Sequence, residues 1–139
     1  MTNSKIDMEQ LNQMCQDSLV SHLGIKLTES GPDYLKGTMP VDRRTQQPYG
    51  ILHGGASVVL AETLGSLAAN LRINQETHYC VGLEINANHV KAVSTGVVTG
   101  VAKAVHMGKR TQIWEIRIEN EKAELVCISR LTMAILNKI

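Results

Sequence analysis

Glu62 is the only acidic residue between Arg44 and Glu76, and its near neighbours are Val58, Val59, Leu60, Ala61, Leu64 and Leu67. Desolvating an unpaired carboxylate is costly, so an acid in such a setting is paired, hydrogen-bonded for structure, or held where a poised charge is used. Eight residues earlier, His53-Gly54-Gly55 precedes a long apolar run. Glycines at a helix start let a ligand approach unpaired amide N–H groups at the positive end of the helix dipole, a place that suits a developing oxyanion. Glycine also serves as a plain turn residue. A base and an oxyanion donor together are the parts of an acyl-transfer site.

On one helix, Gly54 and Glu62 lie about 12 Å apart along the axis and are turned about 80° from each other. A single chain therefore cannot bring both to one carbon atom. If they act together, a second subunit must lay its helix antiparallel, giving two equivalent sites in a two-fold dimer.

The element that carries both is Gly54 to Arg72, GGASVVLAETLGSLAANLR, a long helix with Ser57 as a candidate cap. It is apolar nearly all round, the pattern of a central helix wrapped by other elements. Ahead of it, Leu11, Met14, Cys15 and Leu19 recur at the spacing of one short amphipathic helix. Gly24–Glu29 and Tyr34–Val41 then read as a hairpin across Ser30-Gly31-Pro32-Asp33, and Asp42 to Ile51 as irregular polar backbone. After the helix, Val81–Val90, Gly96–Val105, Thr111–Ile118 and Leu125–Leu136 read as four strands of an antiparallel meander. Trp114, Ile116 and Ile118 share one face of the third, and Glu115 and Arg117 the other, as in a sheet covered on one side. The expectation is an α+β fold, one sheet around one helix, in a single domain over residues 1–139.

Composition narrows the function. Fourteen Lys and Arg against thirteen Asp and Glu leave a net charge of +1, and with no Phe, one Trp and three Tyr the chain lacks both the basic field and the stacking aromatics of nucleic-acid binders. Cys15, Cys80 and Cys127 are odd in number and in no ligand spacing, so neither a metal site nor a disulfide framework is expected. The opening MTNSKIDMEQLNQMCQD lacks the basic head and apolar stretch of an export signal, and the apolar helix carries Glu62, Thr63, Ser66 and Asn70. A cytoplasmic protein with no membrane partner is expected.

The segments MPVDRRTQQPYGILHGGASVVLAETLGS, VGLEINANHVKAV and AVHMGKRTQIWEI resemble the hotdog-fold acyl-CoA thioesterases. They are most similar to the group of bacterial 1,4-dihydroxy-2-naphthoyl-CoA hydrolases and siderophore proofreading thioesterases. The resemblance implies an antiparallel sheet wrapped around the central helix and hydrolysis of a thioester on coenzyme A or on an acyl or aryl carrier protein, with menaquinone biosynthesis as one setting. It implies Glu62 as nucleophile or general base, the Gly54 amide polarising the carbonyl, Gln47 and His53 orienting the thioester, and Ser66 holding water. Coenzyme A, part of the substrate and not a cofactor, would meet Gly82, His89, Lys91, His106, Met107, Gly108, Lys109 and Arg110. The implied assembly is a homodimer with shared sites, paired again into a dimer of dimers.

Two other readings fit less well. A hydratase would need an Asp partner near His53, and the HGGAS run has none. A non-catalytic acyl-CoA sensor would need no carboxylate at Glu62.

Overall fold

A computed structural model describes residues 7–139. The reading of the first residues as lacking an export signal falls partly on 1–6, outside the described residues.

Two short helices, α1 (Met8–Met14) and α2 (Leu19–His22), lead into strands β1 (Lys26–Ser30) and β2 (Tyr34–Pro40). Helix α3 (Gly54–Asn70) follows, then β3 (His78–His89), β4 (Val97–Met107), β5 (Thr111–Glu119) and β6 (Leu125–Asn137). The strands form one six-stranded antiparallel sheet in the order β1-β2-β4-β5-β6-β3. The α+β arrangement of one sheet around one helix is as expected, and each strand begins and ends within three residues of its expected bounds.

Three expectations are corrected. First, the opening helix is broken: Asp17 takes a left-handed φ of 55°, and Ser18 starts α2 with a capping box. Leu11 and Cys15 are buried while Met14 and Leu19 face outward. Second, only β4, β5 and β6 form a meander, since β3 crosses to the far edge and pairs with β6. Third, α3 is not wrapped on all sides within this chain. Leu60, Ala61, Leu64 and Ala68 are buried against the sheet, whereas Val59, Glu62, Thr63, Ser66 and Leu67 are half-buried and line a cavity.

The helix sits close to the sheet because glycines make room for it. Gly37 and Gly100 are paired across β2 and β4, and a Cβ on either would stand 2.8–2.9 Å from a Leu64 methyl or the Lys26 carbonyl oxygen. Trp114, Ile116, Ile118, Leu131 and Met133 complete the core from β5 and β6. Trp114 donates its Nε1–H to buried Gln112 at 2.9 Å, so the one large polar side chain beneath the helix is satisfied. Glu115 and Arg117 alternate with these residues on the outer face, as their spacing predicts. No described helix is long and apolar enough to cross a membrane.

Candidate functional site

The N-terminus of α3 is set by the irregular backbone before it. The His53 N–H donates to the Thr45 carbonyl at 2.8 Å and the Leu52 N–H to the Val93 carbonyl at 2.7 Å. Thr45 in turn donates its hydroxyl to the Pro40 carbonyl at 2.7 Å, tying this loop to β2. Gly50 turns the chain with a φ of 82° that glycine adopts without strain. His53, not Ser57, is the cap: its Nδ1 accepts the Gly55 N–H at 2.7 Å, while Ser57 is buried inside the helix. The accepting nitrogen carries no proton, which fixes the His53 tautomer with any ring proton on Nε2. The Gly54 N–H has no protein acceptor among the described residues.

Gly54 opens into a cavity of about 320 Å³ lined by Gln47, Ile51, Ser57, His89, Lys91 and Val126, among others. A Cβ on Gly54 would stand 2.9 Å from His89 Nε2, so only glycine leaves the amide and the imidazole this close. The Gln47 side-chain oxygen accepts the Tyr49 N–H, and Gln47 lines the cavity. Lys91 is held by Glu124 at 2.9 Å, and the Lys91 ammonium and the Asn120 side chain keep the Glu124 carboxyl below the usual carboxylate range. Gln47, Gly54, His89 and Lys91 are thus brought together.

Glu62 is elsewhere. Its carboxylate lies in a second cavity of about 390 Å³, with Ser66, Thr63, Val59 and Leu67 of α3 and Cys15, Leu19 and Val20 of the N-terminal segment. The ion pairs of the described residues are Arg44–Asp42 and Lys91–Glu124, so Glu62 has no cation partner among them. Gly82 stands against it: a Cβ there would lie 2.9 Å from Glu62 Oε2, at a point where β3 slips register against β6 between Gly82 and Glu84. The Ser66 hydroxyl makes its contact with Met133 Sδ at 3.8 Å. The acid expected to be buried is therefore half-buried and faces open space.

His106, Met107, Gly108, Lys109 and Arg110 form the β4–β5 turn, closed by the Gly108 N–H donating to the Thr111 carbonyl at 2.9 Å. The register Thr111 to Ala134 to Val81 puts this turn at the Gly82 end of the sheet. His89 is seven residues further along β3, about 23 Å away. Within one chain, then, the Gly54 group and the Glu62 group lie apart, with the Lys109–Arg110 cations beyond the acid. Among the described residues, no three His, Cys, Asp or Glu side chains converge as metal ligands.

Three contributors escape the sequence reasoning. Cys15, Leu19 and Val20 wall the Glu62 cavity; helical spacing marks Cys15 and Leu19 as apolar positions of the first segment but places none of the three beside Glu62, because α1 and α2 reach α3 only through the tertiary fold.

Residues 49–127 match the model of the thioesterase superfamily. The chain is 54% identical to the 1,4-dihydroxy-2-naphthoyl-CoA hydrolase of Escherichia coli over 132 residues, covering 95% of this chain and 96% of that protein. It is 50% identical to the proofreading thioesterase EntH of Cronobacter turicensis, covering 93% of each. Among solved structures, a thioesterase of Haemophilus influenzae superposes with a TM-score of 0.93 at 49% identity, over 96% of this chain and 93% of that one. A mutant thioesterase of Pseudomonas aeruginosa superposes with a TM-score of 0.96 at 46% identity over 98% of each. The sheet around α3 is the hotdog fold, the chemistry is thioester hydrolysis, and the chain belongs to the thioesterase superfamily.

Proposed function

We propose that this protein hydrolyses an aryl- or acyl-CoA to the free acid and CoA, with Glu62 as the reacting carboxylate and the Gly54 amide as the oxyanion donor. The observation that carries the reading is the half-buried Glu62 carboxylate, facing a cavity with no cation among the described residues to neutralise it. Such a group is available either to take a proton from water or to attack the carbonyl. In the first route the water oxygen bonds to the carbonyl carbon and its proton passes to Glu62. In the second the carboxylate forms a mixed anhydride that water opens. In both, charge builds on the carbonyl oxygen, where a preorganised amide lowers the barrier, and the C–S bond breaks to release the thiol. His53, with its tautomer fixed, and Gln47 orient the thioester, and Ser66 holds the water.

The reading requires a dimer with shared sites. The sheet's two edges differ: β1 is short and partly closed, whereas β3 is twelve residues long with Tyr79, Val81 and Leu83 exposed. A long open apolar edge is a template for a second strand. An antiparallel partner across β3 would bring its Gly54, His89 and Lys91 to Glu62, Gly82 and the Lys109–Arg110 turn of the first chain, completing the site that one chain leaves in two halves. Pairs of such dimers make the dimer of dimers.

The acyl group of the Escherichia coli relative, 1,4-dihydroxy-2-naphthoyl, is the first candidate, which would place the protein in menaquinone biosynthesis. Likeness to a proofreading thioesterase supports a second reading, acyl groups on a carrier protein. Three unpaired cysteines suit the reducing cytoplasm. Release of free thiol from a panel of aromatic and medium-chain acyl-CoA tests the function, and no release from any of them overturns it. In the same assay Lys109→Ala and Arg110→Ala are expected to raise KM for acyl-CoA far more than they lower kcat, since a phosphate contact is equal in ground and transition states. A pantetheine thioester without the nucleotide should be little affected. Equal losses on both substrates would exclude this turn as the nucleotide site.

Gly82→Ala probes the placement of Glu62. The strand tolerates Ala better than Gly, so the melting temperature is expected to hold or rise slightly. The added methyl displaces the carboxylate, and misplacement by an ångström costs about 100-fold. Unchanged kcat in the folded variant would separate Gly82 from the chemistry.

A further inference from the structure

The cavity that Glu62 faces is shared between a part of the chain inside the superfamily match, residues 49–127, and a part outside it. Val59, Glu62 and Leu67 come from α3, and the opposite wall is Cys15, Leu19 and Val20 from the N-terminal segment. That segment is anchored at one point by an unusual contact. The Asn12 side chain donates its Nδ2–H to the Leu27 carbonyl at 2.9 Å and accepts the Leu27 N–H on Oδ1 at 2.9 Å. These are the two bonds that a neighbouring strand would make to β1, whose outer edge is otherwise free. Three residues on, Cys15 is buried in the core, Asp17 reverses the chain, and Ser18 starts α2 with Leu19 and Val20 above α3.

We infer that this N-terminal wall, held in place by Asn12, sets which size of acyl group the enzyme accepts. The inference rests on the reading of Glu62 as the reacting carboxylate. A carbonyl carbon within about 3–3.5 Å of that carboxylate has two substituents to place. The sulfur carries a polar arm that ends in phosphates and runs toward the cations. The acyl group is left with the apolar wall of Leu19, Val20, Val59 and Leu67. In an apolar pocket, one methylene more or less changes discrimination roughly 10–200-fold, so the residues on this wall carry selectivity without touching the chemistry. Asn12 is a positioning residue: it lies away from the cavity and acts by fixing where α2 stands.

The test is a ratio, kcat/KM for 2-naphthoyl-CoA divided by that for butanoyl-CoA, followed by free-thiol release. Val20→Phe fills the cavity and is expected to lower the ratio at least about tenfold, mainly through KM for the naphthoyl substrate. Asn12→Leu removes both bonds to Leu27 and is expected to lower the ratio as well, because a loosened wall no longer packs against the large group and a small group does not reach it. A purely structural defect would lower both substrates together and leave the ratio unmoved. Leu19→Trp, at an exposed position on the same wall, replaces Val20→Phe if that variant fails to fold. Unmoved ratios in folded variants overturn the inference. Glu62→Gln in the same panel separates the two ideas: if it keeps turnover on both substrates, the site reading fails. If it loses both while the wall variants leave the ratio intact, the selectivity inference alone fails.

Discussion

Glu62→Gln is expected to fold and assemble as the parent does and to lose roughly 10²–10⁴-fold in kcat, the usual size of base removal. The amide has nearly the shape of the carboxylate, so it fills the same space between Ser66, Val59 and Gly82. It neither attacks a carbonyl nor accepts a proton at neutral pH. Folding should not suffer: neither ion pair of the described residues uses Glu62, and the change removes a half-buried charge without orphaning a partner. The loss should fall on kcat and kcat/KM alike, with KM nearly constant, because the carboxylate acts on the transition state and not on ground-state binding. Thermal melting, sizing and thiol release on the same preparation check all three statements. A folded Gln variant within a few fold of the parent would remove Glu62 from the chemistry.

How much of this was readable from the chain follows from which interactions are local. The isolation of Glu62 in an apolar run and the glycines after His53 are local patterns, and both mark cavities in the structure. The alternation of Trp114, Ile116 and Ile118 with Glu115 and Arg117 assigned faces correctly because side chains alternate on any strand. Alternation does not name a partner, and the meander failed at β3 for that reason: its pairs with β6 run from His89–Cys127 to His78–Asn137, across the intervening β4 and β5. The first helix failed at Asp17, where the apolar spacing continues through a left-handed turn before Ser18 caps α2. Ser57 has the residue type of a cap, but His53 holds the position because its ring reaches the Gly55 N–H. Asn12 reads as one more polar residue on a surface helix, and its two bonds to Leu27 arise only in the folded chain. Nor does a sequence place His89 against Gly54 or Gly82 against Glu62, although the glycines hint at close approach.

Mixed dimers of two inactive variants should regain activity if each site draws on two chains. One chain holds Gly54, Gln47, His89 and Lys91 at one end of α3 and Glu62 and Gly82 further along it, about 12 Å away on the helix axis. The first variant is Glu62→Ala, which lacks the base. The second is Gly54→Val, whose branched side chain is driven into His89 and covers the amide, so the oxyanion donor is lost. Each alone is expected to be near zero, since every one of its sites carries the defect. After co-refolding, a mixed dimer has one site with both defects and one with neither. Random pairing makes about half of the dimers mixed, each with one working site of two, so activity should return to about one quarter of the parent value under two-fold symmetry. Each variant keeps the half of the site that the other has lost, so recovery in mixed dimers comes from a site assembled across the interface. Native mass measurement establishes that the mixed dimers are present. If they are present and activity stays absent, Glu62 and Gly54 do not meet across subunits, and Glu62 must work with donors of its own chain.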